Sequence, residues 1–160
     1  MPALRPWPQP ARCGSTWYKG EVQHEVSTAI AAPAERVWAI LSDVERWPTW
    51  TASMTSVELD GPLAVGSQAK IRQPKLPAVT WTVTEVVPGR SFTWHSTAPG
   101  SRATGWHEVT PTGDATCDVR LALEQAGPLG SLVGLLYRGL TQRYIQMEAD
   151  GLAAASTRPT

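Results

Sequence analysis

The chain has 160 residues, enough for one domain with a sizeable core, and 42% of them are hydrophobic, an ordinary share for a globular protein. Its 14 Lys and Arg balance 14 Asp and Glu, so no net field recruits nucleic acid or an anionic membrane. No apolar run approaches the roughly 18 residues of a membrane span. Prolines interrupt the N-terminus where a secretion signal would carry its apolar stretch, so a cytoplasmic protein without stable membrane insertion is expected.

Residues 1–20 hold Pro2, Pro6, Pro8 and Pro10 without periodicity and read as an irregular arm that can dock through Trp17 and Tyr18. A strand is expected over 21–30, where Val22, His24, Val26, Thr28 and Ile30 alternate with polar residues. AAPAERVWAILSDVERWPTW (31–50) then reads as two short helices. Pro33 suits a first helical position, Ala34, Val37, Trp38 and Leu41 form one apolar stripe, and Asp43 can cap the turn that Pro48 ends. Strands follow over 53–60, 67–73, 78–87, 91–97, 102–111 and 115–125, punctuated by Asp60-Gly61-Pro62, Pro88-Gly89, Pro99-Gly100 and Thr112-Gly113-Asp114. Gly127-Pro128 ends the sheet. A single long helix is expected over 129–155, with Leu129, Leu132, Val133, Leu136, Leu140, Tyr144 and Met147 as its inner stripe and Ser156–Thr160 as a frayed tail. Gly130, Gly134 and Gly139 weaken its first half and allow a close approach or a bend.

Antiparallel strands that alternate must cover one face, and only the terminal helix is long enough to do so. A strongly curved sheet cannot be filled by one helix, so a cavity is expected between them. The order β, α, α, six β, long α resembles the START / polyketide cyclase-dehydrase (SRPBCC) superfamily. The segments that carry the likeness are IAAPAERVWAILSDVERWPTW, EVVPGRSFTW, WHEVTPTGDATCDVRL and GPLGSLVGLLYRGLTQRYIQMEADGLAAA, which span residues 21–155 in order. The resemblance implies an α+β helix-grip fold: a curved antiparallel sheet of about seven strands wrapped on a long C-terminal helix, with two short helices after strand one. It also implies a site for a small hydrophobic molecule, aromatic, polyketide-like or lipid-like.

The chemistry in the chain is sparse. Eight tryptophans against one phenylalanine supply large rings that either pack a core or line a pocket. By strand parity His24 and His107 point inward, while His95 faces solvent. Strand parity does not settle the face of His107, because Trp106 lies on the opposite one. The ligand-binding candidates are His24, Trp81, Phe92, Trp94, His107, Leu136, Leu140 and Tyr144. His107, His24 and Tyr144 are also the candidates for acid-base work in a polyketide cyclase or dehydratase, the alternative to a binding protein. For each of these three residues, packing with a satisfied polar end is the plainer explanation of the pattern. A third reading, a lipid or quinone carrier working at a membrane surface, fits less well because no basic patch or protruding apolar helix is evident. Cys13 and Cys117 make neither a disulfide framework nor a metal spacing, and no phosphate loop, dinucleotide fingerprint or nucleophile elbow occurs. No cofactor or metal is therefore expected, and the chain should be a monomer or weak homodimer.

Overall fold

The structure, a computed structural model, describes residues 22–159. The proline-rich arm over 1–20 lies outside the described residues. Seven strands form one antiparallel sheet: β1 (Val22–Ile30), β2 (Ser56–Leu59), β3 (Gln68–Arg72), β4 (Val79–Val87), β5 (Ser91–Ala98), β6 (Ser101–Gly113) and β7 (Thr116–Ala126). Their order is β1-β7-β6-β5-β4-β3-β2, so strand one closes against the last strand, with His24 opposite Leu123 and Ile30 opposite Cys117. The sheet and its helices match the helix-grip architecture.

Between β1 and β2 lie α1 (Ala34–Ser42) and a 3₁₀ helix over Val44–Thr49. Pro33 stands one position earlier than the sequence pattern suggests, at the N-cap, where its carbonyl accepts bonds from the N–H groups of Arg36 and Val37. Asp43 makes no side-chain capping bond, contrary to expectation. The turn is held instead by Trp47, fully buried, whose indole Nε1–H donates to the Leu41 carbonyl at 2.9 Å. Val37, Leu41, Val44 and Trp47 thereby join Phe92, Val109 and Val119 in one core.

The expected single terminal helix is two: α2 (Pro128–Leu136) and α3 (Arg138–Thr157), separated at Tyr137, whose φ of −98° and ψ of 11° leave the helical region. α2 does not use the predicted stripe. Its buried positions are Gly130 and Gly134, while Leu132 and Leu136 are 63% and 75% exposed and Leu129 and Leu135 more than half exposed. The cause is the close approach of the helix backbone to the start of β6: a Cβ on Gly130 would lie 3.0 Å from Ser101 Oγ. Gly127, at φ +87°, makes the corner into α2, and a side chain there would meet the Gly100 carbonyl at 2.6 Å. α2 is thus a protruding apolar helix, which the sequence reading did not anticipate. α3 packs inward through Thr141, Tyr144, Ile145, Glu148, Ala149, Leu152 and Ser156. It continues past Ala155, so Ser156 is a buried helical residue and no part of a frayed tail. No described helix is long and apolar enough to cross a membrane.

Candidate functional site: a tryptophan-walled cavity between sheet and helix

A cavity of about 440 Å³ lies between the concave face of the sheet and the α2–α3 pair. Its floor and walls come from the inward parity of successive strands: Ile71 from β3, Trp81 from β4, Trp94 and Ser96 from β5, Ala103, Gly105 and His107 from β6, Leu121 and Leu123 from β7. Trp47 and Met54 close one side, and Val133, Tyr137, Thr141, Tyr144, Ile145 and Glu148 form the helical wall. Gly105 has a specific task. A Cβ at that position would fall 2.7 Å from Trp94 Nε1, so its absence lets the Trp94 indole lie across β6. Trp94 then packs against Trp47 and Trp81, with ring centroids 5.5 and 5.7 Å away.

Of the candidates read from the sequence, Trp81, Trp94, His107 and Tyr144 line this space. His107 is buried, so its face on β6 is the inner one. Its ring stacks on Phe92 at 4.2 Å with an interplanar angle of 8°. Burial pushes its pKa down from 6.5 to about 3, a shift the Phe92 backbone only partly offsets, so the imidazole is neutral at physiological pH. Its Nδ1 is buried without a hydrogen-bond partner among the described residues. Tyr144 presents its ring to the cavity, but its hydroxyl donates to the Pro74 carbonyl and so tethers the β3–β4 loop, which brings Leu76 and Pro77 to the rim.

The remaining candidates stand elsewhere. Phe92 is fully buried beneath His107 and backs the wall without forming it. His24 is also buried, yet it faces α3 from the edge strand, where its Nδ1 lies 3.1 Å from Gln142 Oε1, and it does not line the cavity. Leu136 projects outward from α2, and Leu140 is half-buried off the wall; both follow from the break at Tyr137, which resets the inner stripe.

Glu148 is the functional candidate that sequence reasoning missed. It is 8% exposed, lines the cavity, and its Oε1 accepts a bond from Ser53 Oγ at 3.1 Å. Ser53 in turn lies 2.9 Å from Thr51 Oγ1, so two buried hydroxyls stand behind the carboxyl in a row. Burial raises the Glu148 pKa from 4.5 to about 7, with the Ser53 bond opposing the shift. A signal for it was present: Tyr144, Glu148 and Leu152 are spaced by four, which puts one carboxyl inside an apolar stripe. Among the described residues no group of three His, Cys, Asp or Glu is arranged to hold a metal.

Residues 21–157 match the family described as polyketide cyclase / dehydrase and lipid transport. The chain belongs to that family. No curated protein matches it by sequence. Among solved structures it is similar in fold to truncated norcoclaurine synthase from Thalictrum flavum, at 14% identity and a TM-score of 0.68 over 88% of this chain and 96% of the other. It is similar also to the Zhui aromatase/cyclase from Streptomyces sp. R1128, at 16% identity and a TM-score of 0.67 over 86% and 94%. A START superfamily protein from Mycobacterium smegmatis aligns at 15% identity and a TM-score of 0.68 over 84% and 96%. This member of the polyketide cyclase / dehydrase and lipid transport family thus keeps the helix-grip frame with a sequence far from each of the three.

Proposed function

We propose that this protein holds a small hydrophobic molecule, aromatic, polyketide-like or lipid-like, in the cavity between its sheet and α3. One observation carries the reading: a space of about 440 Å³ walled chiefly by tryptophan and aliphatic side chains, whose exposed lining is mainly apolar. That size falls within the roughly 300–1,000 Å³ of small-molecule sites, and such a surface gains about 25 cal/mol per Å² of apolar area it covers. In this reading the protein works in the cytoplasm, binds no nucleic acid and is a monomer or weak homodimer; its balanced charge supports that setting. The neutral probe N-phenyl-1-naphthylamine should bind saturably at micromolar strength and quench tryptophan emission. Absence of saturable binding would overturn the reading.

Glu148 favours a second reading, a cyclase or dehydratase. A buried carboxyl that titrates near neutrality beside a ligand-sized space is suited to move protons, and Ser53 and Thr51 extend it into a hydroxyl row. His107, held neutral, serves in that reading as a hydrogen-bonding partner to a carbonyl or phenol. In an enzyme, Glu148→Gln should lower turnover about 10²–10⁴-fold with substrate affinity far less altered. A variant with unchanged turnover of a confirmed substrate would remove Glu148 from the chemistry.

A further inference from the structure

Among the described residues, Glu148 is the one in the cavity wall that can carry charge near neutral pH, because they bring no Lys, Arg or Asp to it. The titratable groups that share the space are His107 from β6, Tyr137 at the α2–α3 junction and Tyr144 from α3; β3, β4, β5, β7 and the loop before β2 bring none. His107 cannot act as a counter-charge, since burial keeps its imidazole neutral. Ser53 supplies the only hydrogen bond to the Glu148 carboxyl among the described residues. A buried carboxylate with one hydroxyl donor and no cation is incompletely compensated, and a ligand is the natural source of what is missing. The walls add a second indication, because Trp47, Trp81 and Trp94 present π-systems that attract cations as well as apolar rings.

We propose that the cavity selects an aromatic molecule bearing an ammonium group, its cation seated against Glu148 and its rings among the tryptophans, and that it rejects carboxylates. The inference rests on the hydrophobic-ligand reading and narrows it to a chemical class. An ammonium neutralises Glu148 and draws it into its ionised form, whereas a fatty acid or aryl acid would place a second carboxylate in the same desolvated space. A neutral ligand of the same shape gains the burial alone.

Three naphthalene derivatives of matched size separate these cases: 1-naphthylmethylamine, 1-naphthalenemethanol and 1-naphthaleneacetic acid, titrated calorimetrically into the full chain at pH 5.5 and 8.5. At pH 8.5 the ammonium compound should bind at least about tenfold more tightly than the alcohol, and the acid more weakly than either. The ammonium-to-alcohol ratio should shrink at pH 5.5, where Glu148 is protonated, and Glu148→Gln should bring it near one at both pH values. At pH 7 the wild-type protein should release a fraction of a proton on binding the ammonium compound and none on binding the alcohol, measured in two buffers of different ionisation enthalpy. That wild-type measurement decides the matter should the variant fail to fold. An ammonium compound with no advantage over the alcohol at pH 8.5, or binding without proton release, would overturn the inference while leaving the hydrophobic cavity standing. Failure of the alcohol to bind at all would instead remove the hydrophobic-ligand reading beneath it.

Discussion

His107 and Glu148 face one cavity, and desolvation drives both toward their neutral forms in the folded state. Their effects on stability have opposite signs in pH. As pH falls below 6.5 an unfolded chain protonates its histidine, but buried His107 resists until about 3, so stability falls with acidification across that window, by roughly 5 kcal/mol at its end. As pH rises above 4.5 an unfolded glutamate ionises, but Glu148 resists until about 7, so stability falls with rising pH across that window, by roughly 3 kcal/mol. Between pH 4.5 and 6.5 the two slopes cancel. Urea unfolding from pH 3 to 8.5 should therefore show a plateau with falling limbs; His107→Phe, which keeps the stack on Phe92, should flatten the acid limb, and Glu148→Gln the neutral one. Unchanged limbs in the variants would refute this assignment. The two residues also differ in how far the sequence revealed them. Strand parity places Trp81 and Trp94 on the inner face because a strand repeats every two residues, whereas the two aromatic faces of β6 left His107 open until its burial against Phe92 fixed the side. Glu148 stayed hidden because the helical stripe was followed through apolar residues alone and stepped from Tyr144 to Met147, one position short of the carboxylate that Tyr144 shares a face with.

That misphasing is a matter of elements. A run such as LGSLVGLL carries its hydrophobic signal in leucines, yet the contact between α2 and β6 is made by the glycines, because the backbone itself comes within reach of Ser101. Periodicity reports which side chains are apolar; it is blind to a helix that packs through what it lacks. The strands were legible to within a few residues at each end, since alternation and turn residues agree along the whole sheet. The two glycines of α3 separate propensity from packing. At Gly139 an added Cβ meets nothing within 4 Å, so Gly139→Ala should stabilise by roughly 0.5–1 kcal/mol. At Gly151 it would fall 2.3 Å from the Trp50 carbonyl, where α3 presses on the end of the 3₁₀ helix. Gly151→Ala should cost about 1–3 kcal/mol or more through overpacking. Thermal melts of both variants check the pair, and a stabilising Gly151→Ala would mean that α3 does not seat against Trp50.

For the molecule as a whole, seven paired strands and a continuous core occupy residues 22–159. Deletion through Lys19 should leave the thermal midpoint within a few degrees, and a large loss would show that Trp7 or Trp17 completes the core. The grip of a curved sheet on the α2–α3 pair leaves about 440 Å³ between them, and unfilled apolar space lowers stability. Function and stability should then trade against each other at the same atoms. Ala103 lies on the inner face of β6 in the cavity wall, opposite Gln125 of β7. Ala103→Phe would fill part of the void, and at about 24 cal/mol per Å³ of cavity removed it should stabilise the empty protein by roughly 1–2 kcal/mol. A ligand stabilises the wild-type protein by mass action, about 2.7 kcal/mol at a hundredfold excess over Kd, which raises its melting temperature by several degrees. Measured by differential scanning calorimetry with and without N-phenyl-1-naphthylamine, Ala103→Phe should melt higher alone and gain little from the probe. A variant that keeps the full ligand-induced shift would place the binding site outside this cavity.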